Sequence, residues 1–295
     1  MRILFIGCVE SSEILLKTLI ENKYEVVGVL TCKKNDINTD YIDLLPLCKK
    51  NDIPVHFSKS GNDEESINFS KKVKPDVIYC FGWSKLLRKE ILETAPMGGI
   101  GFHPTNLPMN RGRHPIVWTL VLGLRRTAVS FFMMDLAPDM GKVIYQNEVL
   151  VDYTDTARTL YDAIMNKAKK GLIEVTERLI HGEVFDDVIE NSVEGNEWRK
   201  RSYEDGLIDW RMSSRAIYNL VRGLTKPYIG AEFIKNEKKV KVWKAEEIFA
   251  KNIENLEYGK VLKVISDTNY YIKTYDNVIH VLESDPVKLK EGEYL

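Results

Sequence analysis

A short segment holds the residues best suited to chemistry: GIGFHPTNLPMNRGRHPIVW, from Gly99 to Trp118. His103 follows a strand-like run, and an imidazole in that place exchanges protons near neutral pH. Arg111 and Arg113 offer guanidinium groups to an anionic ligand, with pairing to acidic side chains at a solvated helix start as the alternative. Prolines on both sides of the asparagines stiffen the backbone. The segment therefore predicts a rigid polar loop, in which His103 is either a proton-transfer residue or a structural histidine and the arginines are candidates for an anion.

The chain before this loop alternates strand-like and helix-like segments. RILFIG, YEVVGVLT and DVIYCFGW are apolar runs typical of buried parallel strands, and helical apolar spacing separates them. GGIGFHP is a further strand, which ends at His103. This alternation predicts an α/β fold with a Rossmann-like, doubly wound, mainly parallel sheet, in which ligands bind at the carboxyl ends of the strands. From Ile234 onward, short strands separated by turns predict a small C-terminal β-rich domain.

The same patterns predict the domain boundaries. We expect a catalytic domain over residues 1–190, a linker and helix over 191–233, and the small β-rich domain over 234–295. A polar, charged segment, NSVEGNEWRKRSYEDG, marks the linker.

Composition excludes several classes of function. Lys and Arg number 42 against 43 Asp and Glu, so bulk charge does not hold this protein to nucleic acid or to a membrane surface. No run approaches the roughly 20 apolar residues of a membrane span. The cysteines lie at wide, irregular spacing without a metal-site pattern, which favours reduced thiols, no metal and a cytoplasmic location. They are Cys8, Cys32, Cys48 and Cys80.

Two segments carry a family resemblance. The chain resembles the folate-dependent formyltransferases in FHPTNLPMNRGRHPIVWTLVLG, followed by TAVSFFMMDLAPDMGKVIYQ. It is also similar, in RSYEDGLIDWRMSSRAIYNLVRGLTKPYIGAEF, to the segment that follows the catalytic domain of methionyl-tRNA formyltransferases and nucleotide-sugar N-formyltransferases. The resemblance covers nearly the whole chain. It implies an enzyme that moves a formyl group from 10-formyltetrahydrofolate to an amine, without a metal.

The resemblance also implies catalytic residues. The family works with Asn, His and Asp; His103 and Asp139 match the last two, but Gly101 stands where the asparagine is expected. The imidazole would take the amine proton and return it to the folate nitrogen, and the carboxylate would orient and stabilise the charged ring. The oxyanion then needs another hydrogen-bond donor. We favour Asn110; Asn106, protonated His103 and a backbone N–H are the alternatives.

Ligand contacts follow from the resemblance and from loop positions. The resemblance implies a folate pocket along CFGWSKLL, with further pterin contacts around Asp135 and Asp139. The aromatic residues of the CFGWSKLL loop suit a hydrophobic core equally well. The folate candidates in the loop are Phe81, Gly82, Trp83 and Leu87.

Acceptor contacts are predicted at two other places. The GCVES loop, with Cys8 and Glu10, joins a strand to a helix and suits a phosphate or a hydroxyl-rich ligand. Lys85 and Arg113 are candidates for a pyrophosphate. We interpret His114 as a structural or anion-facing residue rather than a second base.

The charge of the C-terminal region distinguishes between tRNA and a nucleotide sugar as the formyl acceptor. Residues 237–295 hold ten Lys, no Arg and eleven Asp plus Glu, which gives no basic surface for a polyanion such as tRNA. We therefore predict a nucleotide-sugar N-formyltransferase with no nucleic-acid or membrane partner. The resemblance implies that it acts on a dTDP- or UDP-linked 4-amino or 3-amino deoxy sugar for glycan synthesis. Exposed strand edges in the small domain would be consistent with a homodimer. The alternatives are a methionyl-tRNA formyltransferase and a non-catalytic protein that binds folate or sugar nucleotides.

Overall fold

The computed structural model of the chain describes residues 1–34, 40–136, 139–183, 185, 189 and 194–295. The chain forms two compact units. The first unit comprises residues 1–112, 128–149 and 163–197, and the second comprises residues 113–127, 150–162 and 198–295. The predicted boundary at residue 190 lies outside the described residues.

Buried apolar runs form the strands of the first unit, and segments with helical apolar spacing form its helices. The strands are β1 (Arg2–Ile6), β2 (Glu25–Thr31), β3 (Val55–Phe57), β4 (Val77–Cys80), β5 (Gly99–His103), β6 (Arg111–Gly112), β7 (Arg126–Met133) and β8 (Val143–Leu150). The helices are α1 (Glu10–Glu21), α2 (Leu45–Lys50), α3 (Glu64–Val73), α4 (Lys89–Leu92), α5 (Pro115–Val121) and α6 (Ala157–Ile180). Of these, α5 belongs to the second unit, and α6 begins there.

Seven of these strands form one sheet within the described residues, in the order β3-β2-β1-β4-β5-β7-β8. The pairs from β3 to β5 are all parallel, and β7 joins β5 antiparallel. Long connections that contain helices link the parallel strands, as parallel pairing requires. The sheet confirms the predicted Rossmann-like, mainly parallel fold.

The strand order places a topological switch point between β1 and β4. Connections leave these two neighbouring strands in opposite directions across the sheet, so a crevice opens at their carboxyl ends. The loops after β1 and β4 border this crevice, and β5, beside β4, ends at His103. The fold therefore brings three predicted ligand-binding loops to one edge of the sheet.

The second unit has its own sheet and core. Its further elements are β9 (Glu197–Trp198), which begins in the first unit, a short 3₁₀-helix (Glu204–Gly206), α7 (Ser214–Leu224), β10 (Ala231–Lys235), β11 (Lys238–Ile248), β12 (Val261–Ser266), β13 (Asn269–Lys273) and β14 (Val278–Ser284). The antiparallel order is β10-β11-β14-β13-β12, and α7 packs on this sheet with α5. This sheet confirms the predicted C-terminal β-rich region.

Two further predictions concern thiols and membranes. The four cysteines are free and buried, as expected for reduced thiols. Among the described helices, none combines the length and the apolar character needed to cross a bilayer.

Candidate active site

His103 is the last residue of β5, and its ring is held from two sides. Its side chain is 8% exposed. Nε2 lies 3.2 Å from the carbonyl oxygen of Asn110, and because a carbonyl only accepts, Nε2 carries the hydrogen. Nδ1 lies 3.9 Å from Oδ2 of Asp139, which is close enough for strong electrostatic interaction but longer than a hydrogen bond.

Asp139 reaches this position from the connection between β7 and β8. Its backbone φ of +51° is in the left-handed region, which turns the chain sharply after β7. The N–H of Gly112 lies 3.4 Å from Oδ2, the same oxygen that faces His103. The structure thus brings together His103 and Asp139, which are far apart in the sequence.

Asn110 is held by a residue that the sequence analysis missed. Its N–H donates to Oδ1 of Asn196 at 3.0 Å, and the N–H of Arg111 donates to the carbonyl of Asn196 at 3.1 Å. These bonds fix the peptide whose carbonyl accepts from His103. The side-chain amide of Asn110 makes no hydrogen bond to any other residue that the structure describes. Nothing in the sequence pointed to Asn196, because it lies 86 positions away in a polar linker.

A second missed residue explains the glycine at position 101. Gly101 pairs with Phe132 across the antiparallel strands β5 and β7. A Cβ on Gly101 would lie only 2.4 Å from Cζ of the Phe132 ring. The ring therefore occupies the space that an asparagine side chain would need. A glycine at this position is a packing requirement of Phe132, and only the strand register reveals it.

The loop after β4 divides between core and crevice. Phe81 is fully buried and packs edge-on against Phe5 and Phe131, so it belongs to the core. Leu87 is also buried, in a cluster that Trp83 flanks. Nε1 of Trp83, in contrast, is a buried donor without a hydrogen-bond partner within the described residues.

The loop after β1 packs tightly against this loop. Gly82 has a φ of +71°, and a Cβ there would lie 2.3 Å from Cγ2 of Val9. The hydroxyl of Ser12 accepts from the N–H groups of Cys8 and Val9, at 3.0 and 3.1 Å, and donates to the carbonyl of Phe81 at 2.6 Å. These internal bonds engage two amides of the loop that was predicted to suit a phosphate or a hydroxyl-rich ligand.

The remaining predicted residues are less enclosed. Glu10 is half-buried at the start of α1, and Lys85 is exposed. Asp135 is also exposed, and its Oδ1 accepts from the N–H of Leu136 at 2.6 Å. Arg113 belongs to the second unit and is exposed. The pterin contacts expected between Asp135 and Asp139 include residues 137–138, which lie outside the described residues.

One group among the described residues has the side-chain types of a metal site: His56, Asp63 and Glu65, with ligand atoms within 4.8 Å of one another. Asp63 caps α3, since its Oδ1 accepts from both the N–H and the hydroxyl of Ser66, at 2.9 and 2.7 Å. Burial alone would raise the pKa of Asp63, but hydrogen bonds from Ser58 and Ser66 outweigh it and hold that pKa well below its usual range. Asp63 of this group therefore serves as the N-cap of α3.

Comparison with known proteins decides the family. The formyl transferase family model matches residues 1–176, and the model of the formyl transferase C-terminal domain matches residues 200–291. The chain belongs to the formyl transferase family. This membership confirms the resemblance to folate-dependent formyltransferases and the prediction of an enzyme with a formyl-folate cosubstrate.

Individual relatives of this formyltransferase differ in their acceptors. It is 32% identical over 302 residues to the methionyl-tRNA formyltransferase of Clostridioides difficile strain 630, with 100% of this chain and 96% of the relative covered. The N-formyltransferase from Helicobacter canadensis, solved with folinic acid and dTDP-3-aminofucose, superposes with a TM-score of 0.71 at 16% identity, covering 96% of this chain and 99% of that one.

A third relative is larger than this formyltransferase. A variant of HypX from Aquifex aeolicus superposes with a TM-score of 0.68 at 18% identity and covers 98% of this chain. The formyltransferase spans 46% of the HypX chain. At these identities the two structural neighbours establish the shared fold alone.

Proposed function

We propose that this formyltransferase moves the formyl group of 10-formyltetrahydrofolate to the amine of a dTDP- or UDP-linked amino deoxy sugar. The observation that carries formyl transfer is the His103–Asp139 pair at the carboxyl ends of the sheet strands, 3.9 Å apart. The balanced charge of residues 237–295 supports a small acceptor over tRNA, because tRNA binding relies on many Lys and Arg contacts to phosphates.

His103 is assigned the proton transfer, through Nδ1. Since Nε2 donates to the carbonyl of Asn110, the lone pair of the neutral ring is on Nδ1. Nδ1 takes the amine proton as the bond between the amine and the formyl carbon forms, and Asp139 stabilises the positive ring. The proton then passes to the folate nitrogen as its bond to the formyl carbon breaks.

We assign to Asn110 the hydrogen bond that stabilises the oxyanion. Phe132 fills the space beside Gly101, so the family position offers no side chain. The amide of Asn110 has no hydrogen-bond partner among the described residues and can donate to an oxyanion. Its backbone is fixed by two hydrogen bonds, to His103 and Asn196. A preorganised donor of this kind contributes about a hundredfold to a thousandfold in rate.

We assign folate binding to the loop after β4. Nε1 of Trp83 is a buried donor that lacks a partner among the described residues, and a heterocycle with acceptor atoms fits that need. Gly82 lets this loop pack closely against Val9, because its positive φ turns the backbone at a point with no room for a Cβ. Leu87 is buried beside Trp83 and supports the loop from the core. Phe81 supports the loop from the core.

The finer features of the prediction remain part of this proposal. Free buried thiols support a reducing compartment such as the cytoplasm. A homodimer, a role in glycan synthesis and the boundaries at residues 190 and 233 are proposed on the sequence arguments. The tRNA enzyme is the second candidate, because the full-length relative at 32% identity is a methionyl-tRNA formyltransferase.

Mass spectrometry of reaction products tests the proposal. The purified protein is incubated with 10-formyltetrahydrofolate and either a panel of dTDP- and UDP-linked 3-amino and 4-amino sugars or charged initiator methionyl-tRNA. We expect one formyl group on one of the sugars, and no product with the His103→Ala protein. If only the tRNA is formylated, the acceptor is methionyl-tRNA and the proposed nucleotide sugar is wrong. Folate binding without any product would instead favour the binding protein.

A further inference from the structure

Three cationic side chains and one imidazole lie in the second unit, and we call them the cation cluster: Arg113, Lys200, Arg201 and His114. The N–H of Arg113 donates to the carbonyl of Trp198 at 2.9 Å. This bond holds residues 113–114 beside the segment that continues to Lys200 and Arg201.

The acidic group beside the cluster is already neutralised. Asp205 accepts hydrogen bonds from both terminal nitrogens of Arg199, at 2.6 and 2.5 Å, and from the N–H of Ser202 at 2.7 Å. The bond to Arg199 holds the pKa of Asp205 well below its usual range. The indole of Trp118 donates to the carbonyl of Arg199 at 3.0 Å and fixes this segment. Arg199 and Asp205 thus cancel each other, and the cluster keeps its positive charge.

The Nε donor of Arg201 lacks a hydrogen-bond acceptor among the described residues. One of its terminal nitrogens donates to the backbone carbonyl of Asp205 at 2.9 Å, but its Nε is buried and has no partner among the described residues. Burial lowers the pKa of Arg201, Asp205 opposes that effect, and Arg199 adds to it. A half-buried guanidinium with an empty donor is costly, and an anion would satisfy both its charge and its hydrogen bond.

The other members of the cluster are equally unneutralised. The side chains of Arg113, His114 and Lys200 form no hydrogen bond or ion pair within the part of the chain that the structure describes. Burial lowers the pKa of His114, and the positive charges of Arg113, Arg201 and Lys200 lower it further. This lowered pKa agrees with the backbone hydrogen bond from Arg113 to Trp198, which places residues 113–114 beside the segment that leads to Lys200 and Arg201.

We infer that the cation cluster binds the diphosphate of the nucleotide-linked acceptor. The inference rests on the proposed function, since it names how that acceptor is held. A diphosphate carries several negative charges on closely spaced oxygens, which suits guanidinium forks and an ammonium group that converge. A polynucleotide would need cations spread along a surface, and residues 237–295 do not supply a net excess of them.

Calorimetric titration of the full chain with UDP, dTDP and inorganic pyrophosphate measures this site directly. Arg201→Gln removes the empty donor, and we expect it to raise the dissociation constant of all three ligands about tenfold or more. Lys200→Gln and Arg113→Gln should each raise it about threefold to tenfold. Lys288→Gln is the matched control, because it removes the same charge from an exposed position of the same unit, and it should change binding less than twofold.

Two further measurements separate the possible results. Thermal unfolding reports whether Arg201→Gln is folded; if it is not, the exposed Lys200 and Arg113 variants decide the question. Uridine, which has no phosphate, should bind all variants alike. If the variants bind UDP and dTDP as tightly as the parent does, the inference is wrong, even where the parent formylates an amino sugar. If they lose affinity only for an RNA acceptor stem, the cluster serves RNA and the inference is equally wrong.

Discussion

Two buried histidines, one in each unit, are held in contrasting ways. His280, on β14, is surrounded by close partners: Nδ1 lies 2.8 Å from Oε1 of Glu246, and Nε2 lies 2.9 Å from Oδ1 of Asn269. Its ring also stacks on Tyr271, with the centroids 3.9 Å apart. His103, at the end of β5, has one contact of 3.2 Å and one of 3.9 Å.

The difference shows what a working histidine requires. A ring whose nitrogens both have short, aligned partners is fixed, and any proton transfer would break those bonds. His103 has one nitrogen anchored by Asn110, whereas the other faces Asp139 across a gap that leaves it reactive. Burial and a nearby carboxylate, which both histidines share, therefore do not identify a catalytic residue. The proton-transfer role that we propose for His103 rests on the geometry at the second nitrogen.

Exchanging each histidine for alanine gives the largest expected contrast. His103→Ala should lower kcat by about a thousandfold or more, because it removes the proton acceptor, and should leave the thermal midpoint nearly unchanged. His280→Ala should lower the free energy of unfolding by about 2 kcal/mol and keep kcat within about threefold. Formyl-transfer kinetics and denaturant unfolding of both variants measure this. Equal loss of activity in the two variants would contradict the assignment.

The carboxylates beside the histidines extend the comparison. Asp139→Asn should lower kcat by about a hundredfold to a thousandfold, since it removes the charge that stabilises the protonated ring at 3.9 Å. Glu246→Gln, the matched change beside His280, should change kcat less than twofold. Its effect on unfolding should stay below about 1 kcal/mol, because its side chain is half exposed. An Asp139→Asn enzyme with full activity would remove Asp139 from the mechanism.

Sequence patterns were sufficient for the fold and for the position of His103 at the end of a strand. Apolar runs such as RILFI and VIYC became neighbouring parallel strands, and the strand before His103 ended where a ligand-binding edge was expected. Residue types and local periodicity decide these features, so they are readable without coordinates. The family motif added Asp139, which no local pattern would have joined to His103.

Other parts of the site depend on contacts between distant residues. Phe132 fills the space beside Gly101 only because β7 pairs with β5 in one particular register. Asn196 reaches Asn110 from 86 positions away. The sequence also left Phe81 open between folate contact and core, and full burial against Phe5 and Phe131 decides for the core. Register and long-range packing are properties of the assembled sheet, and single-sequence patterns do not contain them.

Restoring the family asparagine tests the role assigned to Asn110. Asn110→Ala alone should lower kcat about a hundredfold, as expected for loss of one oxyanion donor. Gly101→Asn alone should destabilise the protein, because its Cβ would meet the Phe132 ring at 2.4 Å. Combining Gly101→Asn with Phe132→Ala opens that space and should recover part of the activity of the Asn110→Ala protein. If Asn110→Ala keeps full kcat, another donor holds the oxyanion.

The smallest expected effect belongs to Asn196, which acts through Asn110. Its Oδ1 accepts from the N–H of Asn110 at 3.0 Å and so positions the carbonyl that anchors Nε2 of His103. Asn196→Ala should lower kcat about threefold to tenfold, with KM for the folate unchanged, because a looser anchor lets the ring leave its reactive orientation. Asn196→Asp keeps an acceptor at the same place and should recover most of the rate. A loss of stability in the alanine variant without a change in kcat would make Asn196 a structural residue only, and the anchor of His103 would then rest on Asn110 alone.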